Sequence, residues 1–146
     1  MKISAKGRYG LVAMTYLAQH FSAGMPVTII SISNKFGISK IYLEQVFSLL
    51  KRAGLVISTK GSQGGYQLMY NPKDITVYDI LSSIETSLIE TTESESNFPE
   101  LDRAINTCVY EPLDVKIADL LKSITLEDIL NVVNKEMEVS SQMYFI

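Results

Sequence analysis

The chain is poor in the residues from which catalytic and metal sites are usually built. Its 146 residues include one cysteine and one histidine. A lone thiol, Cys108, cannot close an internal disulfide and cannot by itself make a four-thiolate metal site. His20 offers little acid–base chemistry, and its place on an apolar helical face reads as structural. No Ser-His-Asp, paired-carboxylate or phosphate-loop constellation is present, so the sequence reads as a non-enzyme that works without metal or cofactor. No apolar run approaches the ~20 residues of a membrane span. The N-terminus is polar and basic and lacks the apolar core of a signal peptide, so a soluble, cytoplasmic protein with no membrane role is expected.

Acidic residues are scarce too, but only in one half. Residues 1–70 hold eight Lys and Arg against the single acid Glu44, a balance of +7. Residues 71–146 hold five against fifteen, a balance of −10. The net charge of −3 therefore averages a basic module with an acidic one. A Debye length of ~8 Å at physiological salt keeps the two fields apart, and the basic half can seek phosphate in spite of the total.

Apolar periodicity organises that basic half. Tyr9, Val12, Ala13, Tyr16, Leu17 and His20 recur at helical spacing, and Leu11, Met14, Ala18 and Phe21 form a second face, which predicts a helix buried on two sides. Gly24-Met25-Pro26 ends it. Thr28 is placed to cap a short helix to about Phe36, with Gly37 as its stop. Ser39 is a natural N-cap for a third helix, in which Leu43, Val46, Phe47 and Leu50 form one apolar seam. Its other face shows Ser39, Lys40, Tyr42, Glu44, Gln45 and Ser48. Gly54 stops this helix, and two short strands, Leu55 to Ser58 and Tyr66 to Tyr70, flank a loop of Lys60 followed by Gly61-Ser62-Gln63-Gly64-Gly65. Asn71-Pro72 closes the hairpin. The fold class is mainly α, a winged helix-turn-helix with a two-stranded β wing and a long C-terminal helix.

In the second half, Thr76 to Asp79 and Thr125 to Asp128 match the capping-box pattern with Asp in place of Glu, predicting helices from about 77 and 126. Leu101, Ile105, Cys108, Val109, Pro112, Leu113, Ile117, Leu120, Leu121 and Ile124 form an apolar stripe that needs a partner. Pro112 costs ~3 kcal/mol inside a helix, so a kink or break is expected just before it. The division expected is a DNA-binding domain over 1–86, an acidic mobile loop over 87–99, and over 100–146 the striped helix, a short final helix and a tail.

A helix followed by a basic, glycine-rich wing suits duplex DNA. Small and amide side chains at the start of the third helix can read base edges in a major groove, and Lys40 and Tyr42 can hold phosphates. At the wing, Lys60, Ser62 and Gln63 can reach the backbone or the next groove. Thr28 and Lys51 belong to the same candidate surface. A solvated polar helix face and a plain hairpin are the alternatives, and their combination with the +7 balance favours DNA. A Walker-type phosphate loop is excluded because its Gly-Lys-Ser/Thr must open into a helix, whereas this loop leads into a strand.

Four separated motifs then carry a resemblance across nearly the whole chain: Met1 to Gly10 (Met-Lys-Ile-Ser-Ala-Lys-Gly-Arg-Tyr-Gly), Tyr42-Leu43-Glu44-Gln45, Gly54-Leu55-Val56 with Lys60 to Tyr66, and Ile124 to Asp128. In this order they resemble the Rrf2 family of bacterial winged-helix regulators. The resemblance implies a homodimer, clasped by the long helix through Leu101, Ile105, Val109, Leu113, Ile117, Leu120 and Leu121, on a palindromic operator. It also implies that Lys2, Ser4, Lys6, Arg8 and Tyr9 lie against phosphate, Ser39, Tyr42, Glu44 and Gln45 at the bases, and Lys60 in the minor groove. Members that hold an iron-sulfur cluster use three cysteines at the start of the dimer helix, and residues 87–107 contain none. The chain is thus most similar to the cluster-free, CymR-like subgroup of cysteine-metabolism repressors, which makes control of cysteine or sulfur genes the expected role. The ending Tyr144-Phe145-Ile146 also resembles tails that enter O-acetylserine sulfhydrylase, with two aromatics to pack and a terminal carboxylate to be captured. A tail folded over its own dimer is the other reading. Cys108 is either a small apolar residue at the dimer contact or, in the alternative function, a redox- or metal-sensing thiol.

Overall fold

A computed structural model describes residues 3–88 and 97–144 of the chain. The elements run α1 (Ala5–Gln19), α2 (Ile29–Phe36), α3 (Lys40–Arg52), β1 (Val56–Thr59), β2 (Gly65–Leu68), a short 3-10 turn (Pro72–Asp74), α4 (Val77–Ile84), α5 (Pro99–Ile105), α6 (Glu111–Ser123) and α7 (Leu126–Tyr144). The winged-helix class expected from sequence is therefore observed. Most of the acidic stretch, residues 89–96, lies outside the described residues, as do Lys2, Phe145 and Ile146.

The caps sit where short polar side chains can take the free amides of a first helical turn. Thr28 Oγ1 accepts from Ser31 N at 3.1 Å, and Gly37 ends α2 with φ 66°. Thr76 and Asp79 form a reciprocal capping box, and so do Thr125 and Asp128. α1 begins earlier than periodicity suggests. Ser4 caps it, and Gly7 and Gly10, poor helix formers, mask its first turns in the sequence.

Those glycines have a packing reason. A side chain at Gly10 would run into Ile84 Cδ1, and one at Gly7 into the Glu85 carboxylate, so α4 crosses α1 directly over them. The main core gathers Ala13, Met14 and Leu17 of α1, Ile32 of α2, the full α3 seam, Ile80 and Ile84 of α4, and Leu126 of α7. Leu43, Val46, Phe47 and Leu50 are fully buried, each contributing about 1.5–3 kcal/mol. A second cluster joins Val77 and Leu81 of α4 to Leu121 of α6 and Leu88, with Ile117 packed against it.

The wing is a two-stranded antiparallel sheet with Val56 opposite Leu68 and Thr59 opposite Gly65. Val27 extends it through paired hydrogen bonds with Tyr66, at 2.9 and 2.7 Å. Gly65, at φ 147°, lies so close to the Val27 backbone that a Cβ would clash.

One expectation for the C-terminal part needs correction. The final helix is not short: α7 runs for 19 residues to Tyr144, and its start is part of the main core. The helix is irregular just before Pro112, where a break or kink was expected. A five-residue π segment, Asn106–Tyr110, joins α5 to α6, with Glu111 N bonded to Asn106 O and Pro112 in the first turn of α6. The widened turn accommodates the proline. Replacing Gly10 by Ala must displace Ile84 and is expected to destabilise the fold by about 1–3 kcal/mol. Urea unfolding reads this as a lower midpoint at constant slope, and an unchanged midpoint would show that α1 and α4 do not meet here.

Candidate nucleic-acid interface

α3 is held by its apolar seam, so its other face is left to solvent. Lys40, Tyr42, Glu44, Gln45 and Ser48 are all exposed along it. Ser39 is the N-cap and accepts from Tyr42 N at a long 3.5 Å. The wing is fixed to the far end of this helix: Leu55 N bonds to Leu50 O at 3.1 Å, and Lys51 Nζ donates to Ser58 Oγ at 2.7 Å. Lys51 thus braces the wing. At the tip, Lys60, Ser62 and Gln63 are exposed, and Gly64 N closes the turn onto Gly61 O at 3.0 Å.

The first turn of α1 meets the start of α3. Tyr9 packs edge-on against Tyr42 with ring centroids 5.6 Å apart, and Lys6 Nζ lies 5.9 Å from the centre of the Tyr42 ring. Arg8 is exposed on the same turn. The geometry therefore joins Lys6, Tyr9 and Tyr42, which sequence spacing alone cannot do.

Ser4 and Thr28 are committed to local structure. Ser4 Oγ accepts from Gly7 N at 3.1 Å and donates to Glu85 Oε1 at 2.7 Å, and Ser4 N donates to the same oxygen at 2.8 Å. Thr28 spends its hydroxyl oxygen on the α2 cap. Glu85 is absent from the residues picked out by sequence, because its partner is 81 positions away. The one available signal was Gly7 and Gly10, spaced i, i+3 on a helix, which mark the close approach of another element.

On the striped helix, Leu101, Ile105, Val109, Leu113 and Leu120 are exposed, Leu113 at 54%. Leu121 is buried in the chain's own second cluster, and Ile117, half-buried, packs against it. Cys108 is exposed in the π segment. His20 donates from Nδ1 to Tyr16 O at 2.9 Å and stacks edge-on with the Tyr16 ring, in keeping with a structural role. Among the described residues, no helix is long and apolar enough to cross a membrane.

A helix-turn-helix whose second helix has an exposed face, a braced basic wing and a cationic first turn of α1 beside it define a winged-helix DNA-binding protein. Comparison with known proteins gives the family: the sequence matches the family described as Rrf2, iron-dependent transcriptional regulator, over residues 3–132. The chain belongs to the Rrf2 family of DNA-binding transcriptional regulators, a non-enzymatic family. It is 38% identical over 138 residues to the HTH-type transcriptional regulator IscR of Pectobacterium atrosepticum, covering 94% of this chain and 82% of that one. Among solved structures, T. potens IscR is 41% identical with a TM-score of 0.72, over 91% of this chain and 88% of that one. The structure of CymR, the global cysteine regulator of B. subtilis, is 35% identical with a TM-score of 0.77, over 90% of this chain and 98% of that one. The likeness is thus shared between IscR and CymR, and the narrower CymR-like placement expected from sequence gives way to membership of the family.

Because its hydroxyl caps α2, Thr28→Ala is expected to cost about 1 kcal/mol of stability. Its affinity for duplex DNA, measured on the folded protein, should stay at the wild-type value; a loss would return Thr28 to the DNA surface.

Proposed function

We propose that the protein is a homodimer that binds a palindromic operator, reading bases with the start of α3 and gripping phosphates with the wing and the first turn of α1. The observation that carries this reading is the exposed face of Lys40, Tyr42, Glu44 and Gln45 on a helix anchored by four fully buried side chains. Glu44 and Gln45 suit base edges, Lys60 and Arg8 suit phosphates, and Lys6 rests on Tyr42. Dimerisation through the long helix is supported by Leu101, Ile105, Val109, Leu113 and Leu120, which one subunit leaves uncovered. Two recognition helices then enter successive major grooves about one turn, ~34 Å, apart. Operator occupancy would repress transcription by blocking the promoter.

Two observations bear on the signal. Relatives named IscR and the iron-dependent family description favour a redox- or metal-sensing regulator over control of cysteine metabolism. The chain's donors do not fit a cysteine-held cluster. Such clusters take four protein ligands, the chain has one cysteine, and the described residues contain no group of three or more His, Cys, Asp or Glu placed to hold a metal ion. The reading that survives is a redox one, with exposed Cys108 in the π segment as the responding thiol. A sulfur-metabolism role with O-acetylserine sulfhydrylase as partner draws its support from the likeness to B. subtilis CymR and from the aromatic ending. The structure adds nothing to it: α7 stays helical to Tyr144, and Phe145 and Ile146 lie outside the described residues.

Genomic footprinting supplies the operator, and fluorescence anisotropy on that duplex supplies the test. Gln45→Ala should cost about 1–3 kcal/mol and relax preference at one base pair, while Lys60→Ala should weaken all sequences alike and reduce the salt slope by about 1. Unchanged binding in both variants would remove the DNA assignment of α3 and wing. For the signal, peroxide should lower operator affinity of the wild type and leave Cys108→Ala untouched; equal responses would exclude Cys108 as the sensor.

A further inference from the structure

We propose that Glu85 is a positioning residue for DNA binding: its carboxylate latches the first turn of α1 so that Lys6 and Tyr9 are presented against Tyr42 of the recognition helix. The inference rests on the DNA-binding reading above and adds to it a residue outside the interface.

Three observations carry it. One oxygen, Glu85 Oε1, accepts from both Ser4 N and Ser4 Oγ, at 2.8 and 2.7 Å. Ser4 is also the N-cap of α1, its Oγ accepting from Gly7 N, so the same hydroxyl starts the helix and ties it down. The carboxylate fills the space a side chain at residue 7 would need, which leaves glycine as the residue that admits it. The turn so anchored carries Lys6, Arg8 and Tyr9, and its contact with α3 runs through Tyr42.

Charge alone argues against placing an acid here. A carboxylate beside a turn that faces phosphates weakens their attraction to Lys6 and Arg8, so its use is geometric. Charge-assisted hydrogen bonds from a backbone amide and a hydroxyl are short and strong enough to fix the turn. Glu85 in turn follows directly on α4, whose Val77 and Leu81 pack against Leu121 of α6, and Lys122 Nζ lies 4.7 Å from the centre of the Tyr78 ring. The latch is therefore set by an element that touches the striped helix.

The sign of the effect decides the matter. If Glu85 acted only through its charge, Glu85→Ala and Glu85→Gln would both tighten operator binding. The latch requires the opposite for alanine: affinity about tenfold weaker and a salt slope smaller by about 1, the worth of one lost phosphate contact. Under the latch, Glu85→Gln keeps an oxygen acceptor of the same reach and should stay close to wild type in affinity and in salt slope. A loss of folded protein alone would lower apparent affinity without moving the salt slope, and circular dichroism supplies the folded fraction. Should Glu85→Ala unfold, Gly7→Ala expels the carboxylate while leaving it in the chain, and the same weakening is expected. Wild-type protein that binds no operator would defeat the DNA reading and the latch together. Wild-type binding with Glu85→Ala equal or tighter, or with alanine and glutamine variants equally weakened, would overturn the latch alone.

Discussion

The structure depends on the close crossing of α1 and α4. Two glycines in the first turns of α1 cost roughly 1 kcal/mol each in helix propensity, and what they admit is Ile84 over Gly10 and the Glu85 carboxylate over Gly7. Because α1 also packs on α3, β2 and α7, this crossing sets where the recognition helix and wing stand relative to the C-terminal helices. A larger residue at either glycine would force the helices apart and disturb both faces at once.

α4 is buried on two sides for the same reason. Ile80 and Ile84 belong to the main core, whereas Val77 and Leu81 belong to the cluster shared with α6. α7 repeats the arrangement, with Leu126 in the main core and Ile129 packed against both clusters. Two helices thus connect the body that carries α3 to the striped helix, and each starts with a reciprocal capping box that fixes its first turn. A rotation of α6 has to act on the body through side chains already packed together, since close-packed interiors yield little. The hydrogen bonds from Ser4 to Glu85 lie at the end of that route nearest Tyr42 of α3.

Local signals were legible in the sequence where the physics is local. Thr28, Ser39, Thr76 and Thr125 cap as their spacing predicted, and Leu43, Val46, Phe47 and Leu50 form the buried seam. The exposed α3 face and the basic wing tip followed from the same reasoning. Long-range facts were not legible. The bond from Ser4 to Glu85 spans 81 positions, and the packing of Leu121 in the chain's own second cluster could not be read from the stripe, because a stripe does not say which neighbour covers it. The extent of α7 was missed for a different reason: Val132, Met137, Val139 and Met143 are exposed, so its second half offers no strict buried face to count.

The stripe on the long helix shows how one local irregularity divides a pattern. A π turn adds one residue to a helical turn, which shifts the faces that follow it by ~100° relative to an uninterrupted α-helix. Before the π segment, Leu101 and Ile105 stand in solvent; after it, Ile117 and Leu121 turn onto α4, while Leu113 and Leu120 stay outside. Pro112 is what makes the irregularity favourable there, since it cannot bond to the carbonyl four residues back and its ring crowds that carbonyl in a regular helix. The carbonyl in question belongs to Cys108, the residue at the centre of the π segment. The one thiol of the chain therefore sits where the helix is widest and its backbone least regular, and where the apolar face passes from solvent to the body that carries α3.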